Sequence, residues 1–438
     1  MTRAITVVLV MALLLVGGPW VIGNVAEDRV NRGLDQLVDA APWLGIVDRT
    51  YTQGWFRSEQ EVTFEVLGGA GRAVGTPGRF TVRNEILHGP LLGWSGLGLA
   101  RVNSTIVLDA QQRAQVEKIF GTDSPFTLST RVGFLGGGTT TLASEGRTLR
   151  LRNGAEVTWD DLEIDLGYSR DFDTLTIAGD WPRFAGHDAR EHWDFELTDA
   201  VIDGRSERVK GALYSTDLEF TIGKLSAAGA DLPKTTIEDA HYLVDTADDG
   251  DFMSVATRLG SGPISGGLLA AQGVDLTAIH YDFTLRRLRT NTLARLTEDV
   301  SLSYRNPAAA SMLKDHLLEL CRFDPELLID RVGFETKAGA ATLTGVLRLK
   351  GVTETDVRMG ALSMLAKLEA DLRFEAPQKL VEGFGGGRDA MMNAVDTGYA
   401  ELKADKVVSR LEFKGGELKI NGKVQGIPGL GSPPAGPE

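Results

Sequence analysis

The chain has a single cysteine, Cys321, in 438 residues. It can close no internal disulfide and carries no CxxC metal or redox motif. A lone thiol within Leu317-Leu318-Glu319-Leu320-Cys321 reads as a buried helix residue, because no base is placed to make it a nucleophile. Aromatic residues are 7 % of the chain, so few massive aromatic clusters are expected. Basic residues are outnumbered 46 to 60, giving a formal net charge of −14. That balance excludes the electrostatic footprint of a nucleic-acid binder. It also argues against electrostatic docking on anionic lipids. G-x-S-x-G and P-loop motifs are missing, and Gly69-x-Gly71 opens no strand–turn–helix unit that would cradle a phosphate.

What is present begins at the N-terminus. Ala4 to Gly23 contains no charged residue, and Val7 to Val16 is its densest part. About 20 apolar residues suffice for a helix to cross a bilayer core. Arg3 precedes the run, and Glu27 and Asp28 follow it, so the long C-terminal part is expected across the membrane. Asn24-Val25-Ala26 is a poor cleavage site, and the run continues through Trp20, Val21 and Ile22. Residues 1–24 are therefore expected to be an uncleaved signal-anchor rather than a removed signal. Val30, Leu34, Leu37 and Val38 share one helical face, which makes 25–42 a connecting helix ended by Pro42.

From about Tyr51 the period becomes two. Val62, Phe64 and Val66 alternate with polar residues, as do Leu128, Thr130, Val132 and Phe134. So do Leu162, Ile164, Leu166 and Tyr168, then Ile279, Tyr281, Phe283 and Leu285. Such alternation predicts strands with one face buried, and a spacing of ~10 residues predicts successive antiparallel hairpins. Asn153-Gly154 and Asp203-Gly204 are expected turns. A helical insert is expected over Thr290–Val300 and Ala308–Arg322, then a short turn over Pro325–Ile329. Leu362–Phe374 reads as either helix or strand, with a strand at its end. Pro377 is expected to start a helix reaching about Leu402, broken or loosened at Gly385-Gly386-Gly387. A hairpin around Gly415-Gly416 follows, and the Gly/Pro-rich tail 426–438 is expected to be disordered. The fold class is α+β and strand-dominated: a transmembrane helix, extended antiparallel sheets over 43–289, and a mixed region over 290–425 with a few covering helices.

Short motifs punctuate this pattern. Gly54-Trp55-Phe56-Arg57-Ser58 follows the connecting helix. His88-Gly89-Pro90 follows a strand, and Arg131-Val132-Gly133-Phe134 sits in the next strand pair. Arg331 to Gly339 follows the helical insert, and Ile420-Asn421-Gly422 closes the chain. In this order they resemble the YdgA-like family of bacterial inner-membrane-associated proteins, a domain family of unknown function. The resemblance implies a Gram-negative envelope location and self-association into homo-oligomers, and it brings no catalytic residues. The chain departs from that family at Gly426-Ile427-Pro428-Gly429, where a Gly/Pro tail replaces a short apolar-acidic segment.

The signature residues are Gly54, Trp55, Phe56, Ser58, His88, Gly89, Pro90, Arg131 and Gly133. Trp55 and Phe56 are read as plugging the end of a sheet, with docking on lipid headgroups or a partner as the functional alternative. His88 is read as an edge hydrogen-bonding residue, with no nucleophile beside it. His187-Asp188-Ala189-Arg190-Glu191-His192 holds potential metal ligands, but its spacing is not that of a helical zinc pair, and a solvated loop is expected. No catalytic, metal or cofactor site is assigned. The expected function is that of a non-enzymatic periplasmic protein tethered to the inner membrane, binding lipid or a partner along an apolar β-groove. Two other classes stand beside it: an envelope hydrolase using dispersed carboxylates, which needs two carboxyls across a cleft, and a homo-oligomeric structural module.

Overall fold

The computed structural model describes residues 31, 32, 34, 35, 38 and 44–425, apart from 68–78, 93–95, 123, 152–153, 231, 268–274, 306–309, 360 and 384–386. The expected anchor and the expected disordered tail lie outside the described residues. Among the described residues no helix is long and apolar enough to cross a membrane. Of the expected connecting helix, 31, 32, 34, 35 and 38 are helical. The chain divides into two compact units, one of residues 1–190, 201–214 and 297–311, the other of 191–200, 215–296 and 312–438.

The first unit is an antiparallel meander. Its strands are β1 (Leu44–Thr52), β2 (Arg57–Val66), β3 (Arg79–His88), β4 (Ala100–Val107), β5 (Thr127–Val132) and β6 (Gly138–Ser144). They continue with β7 (Arg147–Arg150), β8 (Glu156–Trp159), β9 (Leu162–Tyr168) and β10 (Thr174–Asp188). Strands β1 to β6 pair in sequence, β9 pairs β6 and β10, and β8 joins β7 to β10. Period-two alternation gives this sheet two unlike faces. Val62 lies opposite Val82, and Val82 opposite Ile106. The other face carries cross-strand ion pairs, Arg79–Glu65, Arg83–Glu61 and Arg57–Glu85. Leu34 and Val38 of the N-terminal helix pack on Leu44, Val62 and Phe64, while Ile86, Ala100, Val102 and Val132 form a second cluster.

Strand β11 (Trp193–Lys210) supplies residues to both units. The second unit continues with β12 (Leu213–Gly229), β13 (Leu232–Asp248), β14 (Phe252–Ser261), β15 (Ile264–Gly266) and β16 (Leu276–Arg289). The helices Thr290–Arg305 and Ala310–Leu320 are likewise divided between the units, and the second unit goes on with β17 (Glu326–Thr336), β18 (Gly339–Leu349) and β19 (Leu368–Pro377). Helices Gln378–Glu382 and Gly387–Asp396 precede β20 (Glu401–Lys403), β21 (Lys406–Lys414), β22 (Glu417–Ile420) and β23 (Lys423–Gln425). Pairing is antiparallel throughout, with β14 joined to β16, and β19 to β21.

Six expectations about the elements are corrected. Asp203-Gly204 runs through β11 instead of turning. Strands β10 to β13 are 15 to 18 residues long, well beyond a spacing of ten. Pro325–Ile329 is no turn, since β17 starts at Glu326. The helix after Pro377 stops at Asp396, and Leu402 is in β20. His187 and Asp188 end β10 rather than lying in a loop; only 189–192 form the turn. Cys321 is not buried in a helix either: it is half-buried in a 3-10 turn and donates its S–H to Leu317 O. Leu362–Phe374 resolves into both of its readings, helix Ala361–Leu365 and then β19.

Candidate functional site

The sequence signature converges at one end of the first sheet. Register fixes this: Arg57 pairs Leu87, His88 pairs Ala100, and Ala100 also pairs Val132. The turns 53–56 and 133–137 therefore emerge beside residues 89–92 and 96–99. A Cβ on Gly54 would lie 2.1 Å from Arg57 O, so the first turn closes only with glycine there. Ser58 Oγ lies 2.9 Å from His88 Nε2 and accepts the Gly54 N–H at 3.3 Å. His88 Nδ1 is 3.2 Å from Trp55 O, and the His88 N–H donates to Phe56 O at 2.9 Å. Trp55 O can only accept, so Nδ1 carries a proton and donates to it, while Nε2 meets the Ser58 hydroxyl.

A hydroxyl therefore does stand beside His88, contrary to the sequence expectation. Ser58 is 1 % and His88 3 % exposed, so the oxygen is sealed from any substrate. The pair acts as a clamp on the backbone of Trp55 and Phe56. The side chains of those two do not plug the sheet end; they project from it, 50 % and 56 % exposed. In the second turn the Gly89–Pro90 peptide is cis, Gly89 N–H donates to Leu99 O at 2.8 Å, and Gly98 N–H donates to Pro90 O at 3.2 Å. In the third, Gly133 N–H donates to Gly137 O at 2.7 Å. Arg131 lies on the charged face, directly across from Arg101. Both line a cleft of about 530 Å³ with Ser129, Gly133, Thr139 and Thr141.

The second unit carries a different surface. Residues directly opposite in antiparallel strands share a face. Phe220, Tyr242, Leu259, Tyr281, Val332, Leu343 and Phe374 are linked pairwise across seven strands. The neighbouring row on that face runs Leu218, Val244, Thr257, Phe283, Ile329, Gly345, Leu372 and Leu411. Tyr242, Leu259 and Tyr281 are 38 %, 49 % and 46 % exposed. Helix Gln378–Glu382 packs Leu380 and Val381 with Phe334, Ala341, Phe374 and Ala376 at one side of this face. The reverse face holds charges such as Arg258, Asp282 and Arg331.

Carboxylates do meet in two clefts, in one of them as partners of cations. A cleft of about 170 Å³ holds Glu369, Asp371 and Glu412. Lys414 lies 3.2 Å from Glu369, and Arg410 lies 2.8 Å from Asp371 and 3.1 Å from Glu412. Hydrogen bonding from Arg410 holds the Asp371 carboxyl below its ordinary range, opposite to what a general acid needs. Asp160 and Asp161 line another cleft, where Asp161 accepts the Gly146 N–H at 2.6 Å. Asp188 is buried and accepts the Arg190 N–H at 2.8 Å. Among the described residues no group of three or more His, Cys, Asp or Glu could hold a metal ion. Burial pushes the Cys321 thiol up, away from thiolate chemistry.

No curated protein and no solved structure matches the chain. A family model does, over residues 1–425. The chain belongs to that family, DUF945, bacterial proteins of unknown function.

Proposed function

We propose that this bacterial protein is tethered to the inner membrane by residues 1–24, lies in the periplasm, and holds an apolar ligand of the lipid acyl-chain class without catalysis. One observation carries the reading: the apolar rows that cross seven strands of the second unit with half-exposed side chains at Tyr242, Leu259 and Tyr281. A pleated face of this kind offers an acyl chain a continuous apolar track. The uncharged run Ala4–Gly23 supplies the tether. The order of short motifs, which resembles the YdgA-like proteins, supports the same envelope location.

Native mass spectrometry of the full chain extracted in detergent tests the proposal. A copurifying lipid, with exchange of labelled phospholipid, is the expected result. A bare chain that exchanges nothing would overturn the lipid assignment. A dimer that excludes lipid would replace it with the homo-oligomeric module.

A further inference from the structure

We infer that the charged face of the first sheet holds a binding site for a phosphate monoester, formed where Arg101 and Arg131 meet. The site lies within the first unit and is independent of the acyl-chain reading, which concerns the second.

Strand register makes the site visible. Between β2 and β3 this face sets arginine against carboxylate: Arg83 is opposite Glu61, Arg79 is opposite Glu65, and Arg57 forms an ion pair with Glu85. Between β4 and β5 the rule breaks, and Arg101 stands directly opposite Arg131. Side chains so placed have Cβ atoms about 4.5–5.5 Å apart, and like charges there repel. Among the described residues Arg131 forms no ion pair and no side-chain hydrogen bond. Where one position breaks a rule that its neighbours keep, the usual reason is function.

The surroundings suit an oxyanion. The two arginines line a cleft of about 530 Å³, room for a phosphate and part of the molecule that carries it. Their row continues through Thr139 to Gly167, so a hydroxyl comes next to Arg131 and no side chain follows it. Arg101 donates its Nε–H to Ser129 Oγ at 3.1 Å, and Ser129 donates on to Asn103 Oδ1 at 3.3 Å. That relay fixes where the Arg101 guanidinium stands. The carboxylates nearby are engaged. Asp165, in the neighbouring row, accepts from Thr141. The turn 169–173 stands against Gly137, and there Asp171 lies 4.0 Å from Arg170 and Asp173 lies 3.0 Å from Arg208.

Charge and shape choose the anion. A carboxylate has one charge and two oxygens, which a single guanidinium fork fills. A phosphate monoester carries about −1.5 to −2 at pH 7 and three acceptor oxygens, which match two guanidinium groups and a hydroxyl. The net charge of −14 gives no general pull on an anion. Exposed charges farther than about 8 Å are largely screened at physiological salt, so the attraction is that of the pair itself. The phosphate can arrive on a lipid headgroup or on a soluble ester, with the same chemistry at the arginines.

Calorimetric titration of the full chain in neutral detergent tests the site, with sn-glycerol 3-phosphate, dioctanoylphosphatidic acid, and acetate as control. Arg131 is exposed, so Arg131→Gln spares the fold, and Arg131→Glu restores the arginine–carboxylate pairing used between β2 and β3. Expected is binding of both phosphates and not of acetate, about tenfold or more weaker in Arg131→Gln and lost in Arg131→Glu. Arg131→Glu should also unfold at a temperature no lower than the unaltered chain. Much tighter binding of the phosphatidic acid would name a lipid headgroup as the source, and equal binding a soluble ester. A chain that binds neither phosphate, or acetate equally well, would overturn the site. Phosphatidic acid bound equally by all three proteins, with no binding of glycerol phosphate, would overturn it too and leave the acyl-chain reading standing.

Discussion

Ser58 is a small residue with three dependents. Its oxygen accepts from Gly54 N–H, sits 2.9 Å from His88 Nε2, and through His88 holds the carbonyls of Trp55 and Phe56. All of this happens at 1 % exposure, where water cannot substitute. Ser58→Ala would leave a buried imidazole nitrogen and a backbone N–H unpartnered. The expected cost is about 2 kcal/mol, within the usual range for stranded buried polar groups. A urea midpoint that falls accordingly, with an unchanged slope, is the check; an unmoved midpoint would show that the clamp carries no stability. Both residues were legible in the sequence as a signature, but their meeting was not. They are 30 positions apart, and only the β2–β3 register, Ser58 against Ile86, brings them together.

At the scale of elements, legibility followed periodicity. Leu162–Tyr168 alternates cleanly and is β9. Helix Ala110–Phe120 has no apolar stripe and went unread, although its ends are written in the sequence. Asp109 and Gln112 form a capping box, and Gly121 closes the helix in the left-handed conformation. Asp203-Gly204 misled because tertiary pairing overrides a local turn preference. Helix Glu354–Met359 repeats the capping logic with a titratable partner. Asp356 accepts from Thr353 N–H at 2.9 Å and from Thr353 and Ser363 hydroxyls at 2.6 and 2.7 Å. Those hydrogen bonds pull its pKa from 3.8 down to about 2. A folded-state pKa below the unfolded one contributes stability that is present above about pH 4 and lost as pH falls toward 2. Asp356→Asn should therefore be less stable at neutral pH and should lose less on acidification. Thermal unfolding at pH 5 and pH 2 checks this, and equal losses in both proteins would refute it.

On the scale of the molecule, each unit is built from a sheet with one charged and one apolar face, and in each the apolar face is incompletely covered. Ile106, Leu128 and Leu166 are 58 %, 37 % and 43 % exposed in the first unit, as Leu259 and Tyr281 are in the second. Alternation announced the apolar faces in the sequence, yet could not say whether they close on a core or stay open. That depends on register across bulges, such as the one between Ile329 and Val332, which decides that Phe283 and Ile329 share a row with Leu372. An open face makes a prediction that a closed core would not. Leu259→Asn with Tyr281→Asn changes side chains already half in water, so the two together should shift stability by less than about 1 kcal/mol. The same side chains would bury their remaining area against an acyl chain, on the order of 1 kcal/mol each. Lipid affinity should then fall about tenfold or more. Titration with a labelled phospholipid beside urea unfolding separates the possibilities. Lost stability with unchanged binding would place these residues in the protein's own core; lost binding at unchanged stability would make the face a ligand surface.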